Sequence, residues 1–187
     1  MGQGESEVIM IITDTHVFFF TEWPSNFKKT DFEWEAFGQR LRFFCTEQAF
    51  MWAKAMHFGD TRTAEAILLV ENDPMRCKHL GRLVENFDET EWDRVRYSYM
   101  KEVNIEKYRQ DADLLTKLLD PEFDGKKFVE ASPTDRIWGI GLGLGTPKCI
   151  LDNENMWRGR NLLGQVVTEV REILKHDLVA VPEPAEA

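Results

Sequence analysis

The alternation of apolar and polar residues predicts short β-strands in the first quarter of the chain. Two apolar runs, residues 8–13 and 17–22, are separated by a polar tripeptide. Residues 32–37 and 40–45 alternate more regularly and are joined by Gly38-Gln39. Because turn residues between two alternating runs are typical of a hairpin, we expect these two runs to pair.

After residue 45 the apolar positions recur every three or four residues, which is the period of an α-helix. Residues 46–58 are expected to form a helix with Gly59 as its C-cap, and shorter helices are expected over 61–70 and 73–84. Three later sets of apolar residues keep the same spacing: Trp92, Val95, Tyr99 and Val103; Tyr108, Ala112, Leu115 and Leu119; and Leu163, Val166, Val167, Val170 and Leu174 in a last helix near 161–175. The predicted fold class is α+β, a mostly α-helical single domain with short β-strands and hairpins near the N-terminus.

The chain divides into an N-terminal segment, a domain and a tail. Residues 1–16 are expected to be an N-terminal segment that has room for a first strand, and residues 17–175 are expected to form the domain. Residues 176–187 are expected to be a flexible C-terminal tail, since they end in VPEPAEA. The first six residues fit the M-G-x-x-x-[ST] myristoylation pattern with Ser6 at its last position, but this short motif often occurs by chance.

Several features predict an intracellular protein, and we expect it to be a monomer, although the sequence does not fix the oligomeric state. The N-terminus lacks the basic start of a signal peptide, and no run approaches the roughly 18 apolar residues of a membrane span. The three cysteines, Cys45, Cys77 and Cys149, lie far apart and are odd in number, which is typical of reduced thiols. We expect a cytoplasmic protein, with the nucleus as the alternative location.

Composition limits the kinds of partner. The 187 residues are 43% hydrophobic and include 13 Phe and 6 Trp, an aromatic content that suits a large core or the stacking of flat ligands. The formal net charge of −10 and the pI near 4.9 oppose a broad phosphate-tracking surface, so non-specific nucleic-acid binding is not expected. A local basic pocket remains compatible with this charge.

Glu47 and Lys54 are the first candidate pair for chemistry. They are two helical turns apart, so both project from one face of the predicted helix. In one interpretation Glu47 is an acid in the first helical turn after Thr46 as N-cap, and Lys54 covers the core with its methylenes while its ammonium reaches water. In the other, an amine in an apolar wall has a lowered pKa and becomes nucleophilic near pH 7, while the carboxylate moves protons.

Residues 132–147, SPTDRIWGIGLGLGTP, are the second candidate for a site. Their alternate glycines permit close backbone approach to a ligand, but the spacing matches neither a Rossmann fingerprint nor a Walker A loop. Asp135 and Trp138 add an acid and a stacking surface beside the backbone amides of Gly139 and Gly141. Asp135 is equally a candidate turn residue paired with the arginine that follows it.

Three further places carry polar candidates. Residues 23–27, WPSNF, form a turn in which Asn26 either binds a ligand or caps its own loop. Arg82 is a phosphate partner or an ordinary surface charge. Asn161 is the expected N-cap of the last helix, where a helix N-terminus also receives phosphate. No metal site and no serine triad are predicted, because the His and Cys spacing and the G-x-S-x-G motif they need are absent from the sequence.

Together these motifs resemble the NADAR, or YbiA-like, family over about residues 17–175. Five motifs carry the resemblance: Ser25-Asn26-Phe27; Glu47, Phe50 and Lys54 in TEQAF…K; LGR at 80–82; Asp135, Trp138, Gly139 and Gly141 in D-x-x-W-G-x-G; and G-x-N-x-L-G at 159–164. Each motif is short, but five in the right order are specific. Gln48-Ala49 and Met51-Trp52 depart from the His-Tyr and Gln-Ala pairs often found there, which bears on substrate identity more than on reaction class.

The resemblance implies a pocket for ADP-ribose-type or ribosyl-phosphate ligands and N-glycosidase chemistry without a cofactor or metal. Substrates of the family are ribosylated pyrimidine intermediates of riboflavin synthesis and ADP-ribosylated guanine bases. The predicted reaction is removal of ADP-ribose from guanine in DNA or RNA, recognised locally. The alternatives are a glycosidase acting on riboflavin intermediates and a non-catalytic ADP-ribose-binding module.

The resemblance also implies roles for the candidate residues. Lys54 is the expected nucleophile that attacks C1′ and forms a Schiff base, while Glu47 and Asp135 exchange protons in an order that stays open. The remaining candidates are expected to bind the substrate: Phe27, Trp52 and Trp138 by stacking, and Ser25, Asn26, Arg82, Asn161 and the loop amides of Gly139 and Gly141 by holding hydroxyls and phosphates.

Overall fold

A computed structural model describes residues 10–179 of the chain. The strands in this part are β1 (Ile11–Ile12), β2 (His16–Phe19), β3 (Phe32–Ala36), β4 (Gln39–Phe43) and β5 (Lys127–Glu130). The helices are α1 (Thr46–His57), α2 (Thr61–Leu68), α3 (Pro74–Gly81), α4 (Glu89–Gln110), α5 (Ala112–Leu118), α6 (Lys148–Leu151) and α7 (Leu162–Val179), with short 3-10 helices at Pro121–Phe123 and Glu154–Met156. The predicted α+β class is confirmed.

The β3–β4 hairpin forms where the alternation predicted it, but its turn is shifted by one residue. Phe32 and Trp34 are buried while Glu33 and Glu35 are exposed, so β3 has one apolar face. The turn residues are Phe37 and Gly38, with φ angles of 53° and 71°, and not Gly38-Gln39. A two-residue turn of this kind needs positive φ at both positions, which places Gln39 in β4.

Strand β5 was not predicted. It pairs in parallel with β2, which also pairs antiparallel with β1, to give a three-stranded sheet. Phe128 and Val129 in β5 are both fully buried, so this strand lacks the polar–apolar alternation by which a half-exposed strand is recognised. The Phe128 N–H donates to Thr168 Oγ1 in α7 at 2.9 Å, and the Glu130 N–H donates to Asn161 Oδ1, just before α7, at 2.9 Å.

Helix α1 runs through the core and carries two of the candidate residues. Thr46 is not its N-cap as expected, because Thr46 is already helical and the preceding Cys45 makes no side-chain capping bond. The Asn26 carbonyl accepts the Glu47 N–H at 3.1 Å and satisfies one free donor of the first turn. At the other end Gly59 has a φ of 74°, which agrees with the predicted C-terminal glycine.

The ends of the described region refine the predicted boundaries. Helix α7 continues to Val179, so the first residues of the expected 176–187 tail are helical. Strand β1 covers the end of the predicted 8–13 strand, whereas residues 8 and 9, Ser6 and the myristoylation pattern lie outside the described residues. Within residues 10–179, none of the helices has the length and the hydropathy needed to cross a membrane.

Candidate functional site

The candidate site lies where the start of α1 meets α3, the 23–27 loop and the loop that follows β5. Glu47, on the first turn of α1, is only 5% exposed. Burial raises the pKa of Glu47 to about 7. The positive charges of Lys78 and Arg82 lower this pKa, and the negative charge of Asp135 raises it. A carboxyl with this pKa is a proton donor and acceptor near neutral pH.

Asp135 organises the loop that closes the site. Its Oδ1 accepts the backbone N–H groups of Ile137 at 2.9 Å and Trp138 at 2.8 Å. Its Oδ2 lies 3.7 Å from the Lys78 ammonium, so within the described residues its ion pair is with Lys78 and not with Arg136. Asp135 therefore acts as a turn residue through Oδ1, while its Oδ2 faces the Lys78 ammonium.

The two glycines after Trp138 are required by close packing. A Cβ at Gly139 would lie 2.9 Å from the Glu130 carbonyl oxygen, which excludes a side chain there. Gly141 has a φ of 68°, a backbone conformation that favours glycine. The Trp138 ring meets the Phe50 ring of α1 edge to face, with centroids 5.1 Å apart. These contacts place the loop against α1 and β5, beside Glu47.

The 23–27 loop is held by a buried lysine that the sequence did not single out. Lys107 of α4 is fully buried, and its ammonium donates to the carbonyl oxygens of Trp23 at 2.9 Å and Ser25 at 3.2 Å. Ser25 in turn accepts the Phe27 N–H at 3.3 Å through its Oγ. Asn26 is buried, and its Oδ1 has no hydrogen-bond partner among the described residues. A buried amide oxygen without a partner is a candidate contact for a ligand.

Lys54 lies at the far end of the same face of α1. Two helical turns separate it from Glu47, an axial rise of about 10 Å. Its ammonium donates to the Gly81 carbonyl at 2.8 Å and lies 4.0 Å from the centre of the Phe87 ring. Partial burial, followed by the charge of Arg96, lowers the pKa of Lys54. This lysine makes no ion pair within residues 10–179, so its amine is held by a carbonyl and an aromatic face.

Three charged residues near the site were missed by the sequence analysis. Glu130 ends β5, and its Oε2 is buried without a partner among the described residues. Burial raises the pKa of Glu130 to about 8. The negative charges of Asp135 and Glu47 raise this pKa as well, and the positive charge of Lys78 lowers it. An acid at the end of a short apolar run, five residues before Asp135, was an available signal for Glu130. For Lys78 the signal was the four-residue spacing to Arg82, which puts both cations on one helix face. The third is Arg96 of α4, which is 5% exposed and pairs with Asp93.

Three predicted substrate-binding residues lie outside this group or at its edge. Trp52 is 1% exposed and packs against the rings of Trp34 and Phe43, a core position that does not suit stacking on a substrate. Asn161 directly precedes α7, but its side chain does not cap the helix. Its Oδ1 accepts the Glu130 N–H and its Nδ2 donates to the Phe128 carbonyl, both in β5. Arg82 is exposed, and its positive charge lowers the pKa of Glu47.

Comparison with known proteins gives a family match over nearly the whole described chain. The model of the NADAR domain matches residues 12–175. An N-glycosidase of Acanthamoeba polyphaga mimivirus is 38% identical over 173 residues, which cover 86% of this chain and 96% of the relative. Protein irg-1 of Caenorhabditis elegans is 36% identical over 181 residues, which cover 93% of this chain and 83% of the relative.

A more distant relative and a solved structure agree with this match. An N-glycosidase of Nostoc punctiforme is 28% identical over 125 residues, which cover 66% of this chain and 70% of the relative. The NMR structure of the Escherichia coli protein YbiA superposes with a TM-score of 0.69 and covers 96% of each chain at 23% identity. At that identity the likeness shows the fold alone.

Proposed function

The chain belongs to the NADAR family, and on that basis we propose that it is an N-glycosidase that hydrolyses the bond between a ribose C1′ and a base nitrogen. Two of its relatives are named N-glycosidases. The observation that carries the proposal is one helix face with a half-buried amine, Lys54, and a buried carboxyl, Glu47, whose pKa is about 7. Breaking a C1′–N bond needs both a group that accepts the sugar carbon and a group that protonates the leaving base.

The proposed reaction passes through a lysine adduct. Neutral Lys54 attacks C1′, the C1′–N bond breaks, and the departing base takes a proton from a carboxyl of the site. The bound sugar then opens: the C1′–O4′ bond breaks, the ring oxygen takes a proton from Nζ and becomes a hydroxyl, and C1′ and Nζ form a protonated Schiff base. Water adds to C1′ and the C1′–Nζ bond breaks, so the net change is hydrolysis to a free sugar and a free base. The lowered pKa of Lys54 increases its neutral fraction.

Asp135 and Glu47 have different environments in this scheme. Asp135 accepts two backbone N–H bonds, which suits a carboxylate that orders the loop and stabilises a cationic sugar carbon. Glu47 makes no such side-chain bonds among the described residues and is buried, which suits a carboxyl that changes its protonation during turnover. We assign proton transfer to Glu47 and electrostatic support to Asp135.

The best substrate candidate is an ADP-ribosylated guanine in a nucleic acid. Lys78, Arg82 and Arg96 bring cations to the edge of the site in a chain with a net charge of −10, and a pyrophosphate needs such a local positive patch. Asn26, with a buried Oδ1 that has no partner among the described residues, and the half-buried ring of Phe27 lie on the 23–27 side, and they are our candidates for holding a hydroxyl and stacking on a base. Recognition of one modified base does not require a broad basic surface.

The test is turnover combined with trapping of the adduct. Purified protein is incubated with an oligonucleotide that carries ADP-ribosylated guanine, with and without borohydride, and the masses of oligonucleotide and protein are followed. We expect loss of ADP-ribose from the oligonucleotide and, with borohydride, a stable adduct on the peptide that contains Lys54. Lys54→Met should abolish both, while Lys29→Met, at an exposed lysine just after the 23–27 loop, should retain both.

The other outcomes separate the alternatives. Turnover by Lys54→Met would refute the Schiff base. If the oligonucleotide is unchanged but a ribosylated pyrimidine is cleaved, the enzyme acts on small riboflavin-type intermediates. If neither is cleaved and ADP-ribose still raises the melting temperature, the protein is a binding module and the catalytic proposal fails.

A further inference from the structure

The aromatic ring of Phe87 lies against the amine of Lys54. The Lys54 Nζ is 4.0 Å from the centre of this ring, and it donates a hydrogen bond to the Gly81 carbonyl oxygen at 2.8 Å. Both contacts favour a cation, because the face of an aromatic ring is partly negative and a carbonyl oxygen binds an ammonium more strongly than a neutral amine. The proposed nucleophile is therefore in contact with two groups that stabilise its charged form, which has no lone pair for attack.

The Gly81 carbonyl is available to Lys54 because α3 ends at this residue. The carbonyl groups of the last helical turn have no partner within their helix, and the negative end of the helix dipole adds to their attraction for a cation. A Cβ at Gly81 would collide with the Met51 side chain of α1. The absence of a side chain at Gly81 thus lets α3 approach α1 closely enough for Lys54 to reach the end of α3.

The Phe87 ring is held in place by the loop that joins α3 to α4, residues 82–88. In this loop the Glu85 N–H donates to Asp60 Oδ2 at 2.9 Å, which fastens the loop to the start of α2. The ring itself packs edge to face against the Phe58 ring, with centroids 5.3 Å apart. Phe87 is 44% exposed, so the amine beneath it lies near the surface, where water can take up a proton.

We propose that Phe87 is a positioning residue for the nucleophile: its ring face, together with the Gly81 carbonyl, holds Lys54 Nζ as an ammonium in the resting enzyme and thereby sets the fraction of amine that is free to attack C1′. This inference rests on the proposed N-glycosidase reaction. Before the attack Nζ releases one proton to water, and the lone pair left on the nitrogen forms the bond to C1′. The ring opposes this release, because its face attracts the ammonium and not the neutral amine.

Other groups around Lys54 act in the opposite direction to the ring. Burial, followed by the charge of Arg96 in α4, lowers the pKa of Lys54. The other titratable or charged side chains that flank these contacts in the chain are His57 of α1, His79 of α3, Arg82, Glu85 and Asp88 of the loop, and Glu91 of α4. None of them forms an ion pair with Lys54 within residues 10–179, and His57 lies 3.5 Å from Glu91 instead. A change confined to the charge of the Phe87 ring therefore tests the ring alone.

The first test measures the amine directly and needs no substrate. Protein labelled with ¹³C at the lysine Cε atoms is titrated by NMR, and Lys54→Met assigns the signal. Phe87 is replaced by pentafluorophenylalanine through nonsense suppression, which nearly keeps the shape of the ring but reverses the charge of its face. We expect the Lys54 titration to move to lower pH by about one unit, the size of a partly desolvated cation–π contact.

Phe20 provides the matched control for this replacement. It is 39% exposed, close to the exposure of Phe87, and no Lys or Arg lies over its ring among the described residues. Pentafluorophenylalanine at Phe20 should leave the Lys54 titration at its wild-type position. An unchanged Lys54 titration in the protein fluorinated at Phe87 would overturn the proposal.

The second test asks whether the same shift appears in catalysis. At pH values where Lys54 is mostly charged, kcat/KM for the ADP-ribosylated oligonucleotide should increase in the protein fluorinated at Phe87, by up to tenfold for a shift of one unit. At pH values above the Lys54 titration it should change little. A change by one factor at every pH would mean that the ring is only structural and would overturn the proposal. Absence of wild-type turnover would instead refute the proposed function, while the NMR titration would still decide whether the ring holds the ammonium.

Discussion

Replacing Glu47 by Gln should stabilise the folded protein above pH 7 while it removes activity. Burial raises the pKa of Glu47 from 4.5 to about 7, so the folded state binds this proton more tightly than the unfolded state. The sign follows from that difference: the contribution is fully favourable below about pH 4.5 and is lost as the pH rises through about 7. The uncharged amide of Gln avoids this loss, because it has no proton to release.

The magnitude follows from the same two values. Each pH unit between folded and unfolded pKa corresponds to about 1.4 kcal/mol, so the rise from 4.5 to about 7 corresponds to about 3 kcal/mol. Glu47 is only 5% exposed, so screening by solvent reduces this little. We therefore expect the two proteins to have similar free energies of unfolding near pH 4 and Glu47→Gln to be about 3 kcal/mol more stable near pH 8.

The assay is urea unfolding of wild type and Glu47→Gln at several pH values between 4 and 9. Glu71→Gln is the matched control, since Glu71 is exposed, and its difference from wild type should stay near zero throughout. A difference between wild type and Glu47→Gln that is constant with pH would refute the reasoning, because it would mean that Glu47 titrates alike in the folded and unfolded states.

Three further predictions concern the frame of the site. Asn161→Ala removes both amide bonds to the β5 backbone, and we expect a loss of about 2 kcal/mol or more in unfolding free energy, measured with urea. Gly164→Ala would press a Cβ against the Phe128 carbonyl and should lower the melting temperature strongly, whereas Gly145→Ala, with open space around it, should not. Lys107 has a pKa lowered by burial to about 7, so the stability of wild type relative to Lys107→Met should increase as the pH rises from about 7 toward 10.5; curves that stay parallel would contradict this.

Local patterns predicted much of the secondary structure. The alternation in 32–37 and 40–45 predicted the hairpin, and the helical spacing after residue 45 predicted the longer helices, because both depend on residues close in sequence. The short helix α6 was not predicted, and Tyr108, which was grouped with residues 112–119, belongs to α4. Strand β5 escaped prediction, since it is buried on both faces and its partner β2 is more than a hundred residues away in the chain. The turn shifted by one residue because backbone φ, and not residue type alone, selects the turn positions.

The features of the site also divide into those that the sequence predicted and those that depend on long-range packing. Motifs in a fixed order were enough to predict the family from the sequence, and helix geometry predicted that Glu47 and Lys54 share one face. That the candidate residues contact a substrate stays a prediction.

Which charged side chains meet depends on how the elements pack in space. The tertiary structure pairs the Lys78 ammonium with Asp135, it buries Glu130 Oε2 without a partner among the described residues, and it turns Trp52 into the core although a tryptophan suits stacking equally well. The physical reason is that burial and electrostatic energy depend on distances through space. Residues from α1, α3, β5 and a loop are brought together by packing that no local spacing encodes, and that packing moves the pKa values of the two glutamates toward neutral pH.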